Sequence, residues 1–233
     1  MKKTNLILQM LPIYILLLGG MILGAIYADT AITTFAENRP ITHRKTVIID
    51  AGHGGVDGGT TSCTGLLESQ LNLEISLRLN DLMHLLGIQT YMIRTTDDSV
   101  YTSGNSISEK KISDLKERVR ITNNTPNALL VSIHQNYFPD DRYSGGQVFY
   151  ATTEGSKDLA IQLQTALKQT INPGSNRNAK QSDHVYLMSH VSVTAVLIEC
   201  GFLSNPQEEA KIRDPQYQKE LCAVIGATVS GFL

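Results

Sequence analysis

Three short runs along the chain are almost purely apolar and rich in valine and isoleucine: TVIID at 46–50, ALLVSIH at 128–134 and AVLIE at 195–199. Such runs fit strands buried on both faces. IQTYMIR at 88–94 and GGQVFY at 145–150 mix polar and apolar positions and predict two further strands. The segment LLESQLNLEISLRLNDLMHLLG, 66–87, fits two periods. Leu71, Leu73, Ile75, Leu77 and Leu79 alternate as a strand does, whereas Leu71, Ile75, Leu79, Leu82, Met83 and Leu86 form a helical stripe. Its length and scarcity of β-branched residues decide for a helix, with Gly87 as its stop. Further helices are expected at 113–123, 155–171 and 215–230. Strands that alternate with helices predict an α/β fold around a mainly parallel sheet.

The N-terminal stretch differs in kind. Lys2 and Lys3 precede an uncharged segment from Thr4 to Ala28, followed by polar residues. This reads as a signal or transmembrane segment that exports the rest of the chain. The segment is longer than a usual signal core and has no clean A-x-A cleavage site, which favours an uncleaved membrane anchor. Residues 29–44 read as a linker, and 45–233 as one catalytic-sized globular unit with no internal repeat.

Composition narrows the function classes. The 233 residues are 42% hydrophobic and 18% charged, as in an ordinary globular protein, and the formal net charge of -2 carries no footprint for nucleic acid. The most basic stretch, EKKISDLKERVR at 109–120, is interleaved with acids and reads as a solvated helix face. Cys63, Cys200 and Cys222 form neither a disulfide framework nor a zinc knuckle, so the core itself must hold the fold.

In open α/β sheets, ligands bind beyond the carboxyl ends of the strands. His53 follows the first apolar run within IIDAGHGGVDGG, His134 ends ALLVSIH, and Glu199 ends AVLIE. Glu68 lies in the first turn of the helix after the first strand, at the same edge. Two imidazoles and one carboxylate with an open position make a common catalytic zinc shell, and a second carboxylate can then move a proton. On that reading His53, Glu68 and His134 hold Zn2+ and Glu199 carries the proton, while the glycines let the loop aim His53. A plainer reading stands beside it: a turn histidine, a carboxylate at a helix N-terminus, a core histidine and a salt-bridge partner. His43, His84, His184 and His190 are assigned no role, although the last two flank VYLMS, where a substrate contact is conceivable. GHGGVDGG lacks the patterns of a dinucleotide fingerprint or a P-loop, and Cys200 reads as a small buried residue before a nucleophile.

IIDAGHGG, GLLESQLNLEI, LLVSIHQN and AVLIECGFLSNPQEE together, in this order and spacing, resemble the motifs of the zinc-dependent N-acetylmuramoyl-L-alanine amidases of the amidase 3 type. The resemblance runs from about Thr46 to Leu233. It implies a sheet of about six strands flanked by helices on both faces. It also implies the same assignment: His53, Glu68 and His134 as zinc ligands and Glu199 as the catalytic carboxylate. The implied reaction cleaves the amide between N-acetylmuramic acid and L-alanine in peptidoglycan. SISEKKISDLKERVRITNN and RYSGGQVFY are most similar to the sporulation branch, which acts on spore cortex and enables muramic δ-lactam formation before germination. No long insertion separates His134 from Glu199, so control by location or by an activating protein partner is expected. Ser189 and Thr194 depart from the family pattern, where a basic residue and a proline are common. Two alternatives remain at this point: another zinc hydrolase, such as a peptidase or deacetylase, or a catalytically inactive peptidoglycan-binding protein.

Overall fold

The computed structural model describes residues 45–233. The expected leader, 1–28, and the expected linker, 29–44, lie outside the described residues. Among the described residues no helix is long and apolar enough to cross a membrane.

The chain runs β1 (Thr46–Ala51), α1 (Glu68–Leu85), β2 (Thr90–Met92), α2 (Ile107–Asn124), β3 (Ala128–Asn136), β4 (Gln147–Tyr150), α3 (Ser156–Thr170), β5 (Lys180–Gln181), α4 (Tyr186–His190), β6 (Thr194–Phe202), α5 (Pro206–Ile212) and α6 (Pro215–Phe232). The strands form one sheet in the order β2-β1-β3-β6-β4-β5. The first four are mutually parallel, β4 is antiparallel to β6, and β5 is parallel to β4. A mainly parallel α/β sheet of six strands is therefore observed, with an edge that reverses direction.

The two faces of the sheet are buried by different helices. Val47, Ile49, Leu129, Val131, Ile133, Val196 and Ile198 share one core with residues of α1, α3 and α6. Ile48, Leu130, Ala195 and Leu197 share the other with Leu187 and Met188 of α4, against which Val119 and Ile121 of α2 pack. Burial on both faces is why these strands read as unbroken apolar runs. The ambiguous leucine segment resolves as the helical stripe: Leu71, Ile75, Leu79 and Met83 are buried, while Leu77 of the alternating set is 36% exposed. Full burial of each such side chain stabilises the fold by roughly 1.5–3 kcal/mol.

Elements also begin where local chemistry starts them. Ser106 and Glu109 form a capping box that opens α2 six residues ahead of the expected 113. Asn205 caps α5 through Gln207 N and Glu208 N, and Asp214 caps α6 through Gln216 N, each followed by proline at the first helical position. The pattern reading did not include α4, α5 or the two-residue β5.

Candidate metal centre

β1, β3 and β6 deliver their carboxyl ends side by side, with His134 of β3 in register with Glu199 of β6. Past the end of β1, His53 takes a left-handed backbone, φ 61°, a conformation that is uncommon outside glycine. Glu68 opens α1 on the opposite side of the loop and is buried.

The three side chains meet. His53 Nε2 lies 3.3 Å from Glu68 Oε2, and His134 Nδ1 lies 3.0 Å from Glu68 Oε1. The imidazoles are edge to face, with centroids 5.0 Å apart. One donor atom from each of His53, Glu68 and His134 falls within 4.8 Å of the others, so the cluster could hold a metal ion. Zinc bound at about 2.0–2.2 Å in a tetrahedron requires ligand atoms about 3.4 Å apart, close to these separations, and this His/Glu/His set is a known donor set for it.

The surroundings fix each donor. Glu68 Oε1 also accepts from Gln135 N at 3.1 Å and Asn72 Nδ2 at 3.2 Å, and Oε2 accepts from Thr60 N at 3.0 Å. His53 Nδ1 donates to Asp57 Oδ2 at 3.0 Å, which leaves Nε2 facing the cluster, and Asp57 Oδ1 is held by Lys111 Nζ at 2.7 Å. A carboxylate behind a histidine in this way sets its tautomer and ring orientation. The glycines supply space as much as flexibility. A Cβ on Gly52 would lie 2.2 Å from His134 Nε2, and one on Gly59 would lie 2.6 Å from Glu68 Oε2.

The electrostatics favour positive charge at this point. Burial lowers the pKa of His53, but Asp57 and Glu68 outweigh it and raise it to about 9. Burial pushes Glu68 up, and His134 and His53 outweigh it, holding the carboxyl well below the usual range. Glu199 is different: burial raises its carboxyl to about 7 against the pull of His134. Its Oε2 is buried and has no hydrogen-bond partner. A buried oxygen without a partner costs free energy unless something completes it.

A cavity of about 240 Å³ beside the cluster is lined by His53 and His134, though not by Glu68, and by Asp57, Lys111, Arg118, Tyr186 and Leu187 among others. A larger cleft of about 1150 Å³ lies between residues 141–147, 171–180 and α5 and contains no member of the cluster. The small cavity is the one with the chemistry. His184 and His190 do not line it; Tyr186, stacked on His190 at 3.9 Å, does. Cys200 is buried and burial pushes its thiol well up, which removes it as a nucleophile.

One expectation needs correction. The stretch 109–120 is not wholly a solvated face, because Arg118 is 2% exposed and lies beneath the cluster. Its spacing, three residues after Leu115 and four before Thr122, puts it on the inward side of α2, a signal that the abundance of neighbouring charges hid.

Such a rim defines a class: an α/β protein with a three-residue cluster able to hold a metal ion and a titratable carboxylate on the adjacent strand. The model of the N-acetylmuramoyl-L-alanine amidase family, Amidase_3, matches residues 47–230, and the chain belongs to this family. It is an amide hydrolase of the bond between N-acetylmuramic acid and L-alanine in peptidoglycan. The germination-specific N-acetylmuramoyl-L-alanine amidase of Bacillus subtilis is 34% identical over 183 residues, covering 78% of this chain and 76% of the relative. The CwlD amidase from Clostridioides difficile, solved in complex with the GerS lipoprotein, matches with a TM-score of 0.77 at 35% identity, over 81% of this chain and 98% of that one. An N-acetylmuramoyl-L-alanine amidase from Clostridium difficile 630 matches with a TM-score of 0.70 at 34% identity, over 82% and 97%.

Proposed function

We infer that this amidase is zinc-dependent, that His53, Glu68 and His134 hold the ion, and that Glu199 moves the proton. The observation that carries this reading is the convergence of three donors from three separate elements on one point, beside a buried carboxylate oxygen without a partner. When bound, zinc supplies a Lewis acid that polarises the amide carbonyl and makes water nucleophilic near neutral pH. Glu199 takes a proton from the attacking water and returns it to the departing nitrogen of L-alanine as the C–N bond breaks. Burial, which raises the Glu199 carboxyl above the usual carboxylate range, favours its taking up that proton. Asp57 keeps the His53 ring turned with Nε2 inward throughout.

The substrate we assign is spore-cortex peptidoglycan, with removal of the stem peptide preparing the muramic acid for δ-lactam formation. The similarity to a germination-specific amidase supports this. The domain at 45–233 is the catalytic part, residues 1–28 keep it at the outer face of the membrane, and 29–44 tether it. The complex of the C. difficile relative with a lipoprotein supports an activating protein partner for this chain too.

Two substitutions separate the roles. Glu199→Gln is expected to fold, retain zinc and lose about 10²–10⁴ of the rate. His134→Ala is expected to lose zinc as well as activity, because one of three protein ligands is gone. Full activity in the first variant, or full metal occupancy in the second, overturns the respective assignment.

A further inference from the structure

Beyond the end of β1 the chain leaves the sheet, and its carbonyls lose their ladder partners. Two buried arginines replace them. Ala51 O accepts from Arg94 Nε at 2.8 Å and from Arg118 Nη1 at 3.0 Å. Gly52 O accepts from Arg94 Nη2 at 3.0 Å, and His53 O accepts from Arg118 Nη2 at 2.7 Å. Three consecutive carbonyls are thus held by guanidinium groups, immediately around the histidine with the left-handed backbone.

Both arginines are anchored from behind. Arg94, 4% exposed, also donates to Ser69 O at 2.8 Å, in the first turn of α1 next to Glu68, and to Thr96 O at 2.9 Å. Arg118 pairs with Asp50 and, at 2.5 Å through Nε, with Asp114. Asp50 in turn accepts from Ser132 Oγ of β3 at 2.6 Å. Each guanidinium therefore ties the His53 turn to an element that carries another member of the cluster: Arg94 to α1 and Glu68, Arg118 through Asp50 to β3 and His134.

We propose that Arg94 and Arg118 are positioning residues that clamp the carbonyls of residues 51–53 and hold His53 in the strained conformation that presents its imidazole to the metal. A left-handed backbone at a residue with a side chain costs on the order of 1–3 kcal/mol and persists only where its surroundings over-determine it. The planar fork of arginine meets two carbonyls from separate nitrogens in a fixed geometry, whereas the ammonium of lysine donates from one freely rotating nitrogen and does not set that geometry. This inference rests on the assignment of His53 as a ligand.

The test uses Arg94→Lys and Arg118→Lys, which keep the charge and lose the fork. Zinc affinity is measured by competition with a chelating dye, and amide exchange of Gly54 and Gly55 is followed in the zinc-free protein. Gly54 N donates to Asp57 O and Gly55 N to Asp97 O, so both amides report on the turn. In either variant that folds, the expected result is a zinc dissociation constant raised about 10–100-fold. Exchange at Gly54 and Gly55 is expected to accelerate more than exchange at Val131 in the core. Leu163→Ala, destabilised far from the turn, should leave the zinc dissociation constant unchanged and should not accelerate Gly54 and Gly55 more than Val131. Unchanged relative exchange, or lost protection with unaltered zinc affinity, overturns the proposal. If the wild type itself binds no zinc, the ligand assignment fails instead, and the exchange ratios still decide whether the arginines hold the turn.

Discussion

At the scale of single residues, the site depends on what is missing as much as on what is present. Gly52 lies against the His134 ring, and no side chain fits between them. Gly52→Ala is therefore expected to displace the imidazole by about an ångström and reduce kcat/KM by about 10²-fold, with most of the fold intact. Wild-type activity in that variant would show that the ring tolerates displacement. The four candidate residues stood out in the sequence because each lies near the carboxyl end of a strand or begins a helix, and an α/β sheet brings such positions to one rim. Their supports did not. Asn72, Arg94 and Arg118 act through contacts between elements far apart in the chain, and the one local signal among them, the spacing of Arg118 from Leu115 and Thr122, was masked by the charges around it. Asp57 came nearest to being readable, four residues after His53 within the same loop.

At the scale of elements, α2 is the piece whose importance the sequence understated. Its start was written in Ser106 and Glu109, a capping-box spacing, but the apolar stripe begins later and drew the expected boundary inward. The helix is fastened to the sheet through Arg118, Asp50 on β1 and Ser132 on β3. Burial pushes Asp50 up, and Arg118 outweighs it, so the folded carboxyl lies below its unfolded value near 4. That sign places the stabilisation above the unfolded pKa and removes it as pH falls through the folded one. Asp50→Asn is expected to cost about 3 kcal/mol at pH 7, because Arg118 loses a buried partner. The variant should also show a flatter loss of stability below about pH 4 than the wild type. Denaturant titrations at pH 7 and pH 3 check both, and equal stability at pH 7 would remove the fastening role. β5 and α4 escaped the sequence pattern for a different reason: two and five residues are too few to establish a period.

At the scale of the whole molecule, the account joins three layers. The twofold burial of β1, β3 and β6 fixes the sheet, the sheet edge gathers the cluster, and the arginines beneath it set the turn that carries His53. Family membership fixes the bond that is cut, and the geometry supports how this chain would cut it. The most direct measurement incubates the purified, zinc-loaded protein with peptidoglycan, with and without chelator, and identifies the new end groups by mass spectrometry. Release of stem peptides beginning with free L-alanine, abolished by the chelator and restored by zinc, is the result expected. Equal release with all metal removed, or no such release from fully zinc-loaded protein, would contradict the account.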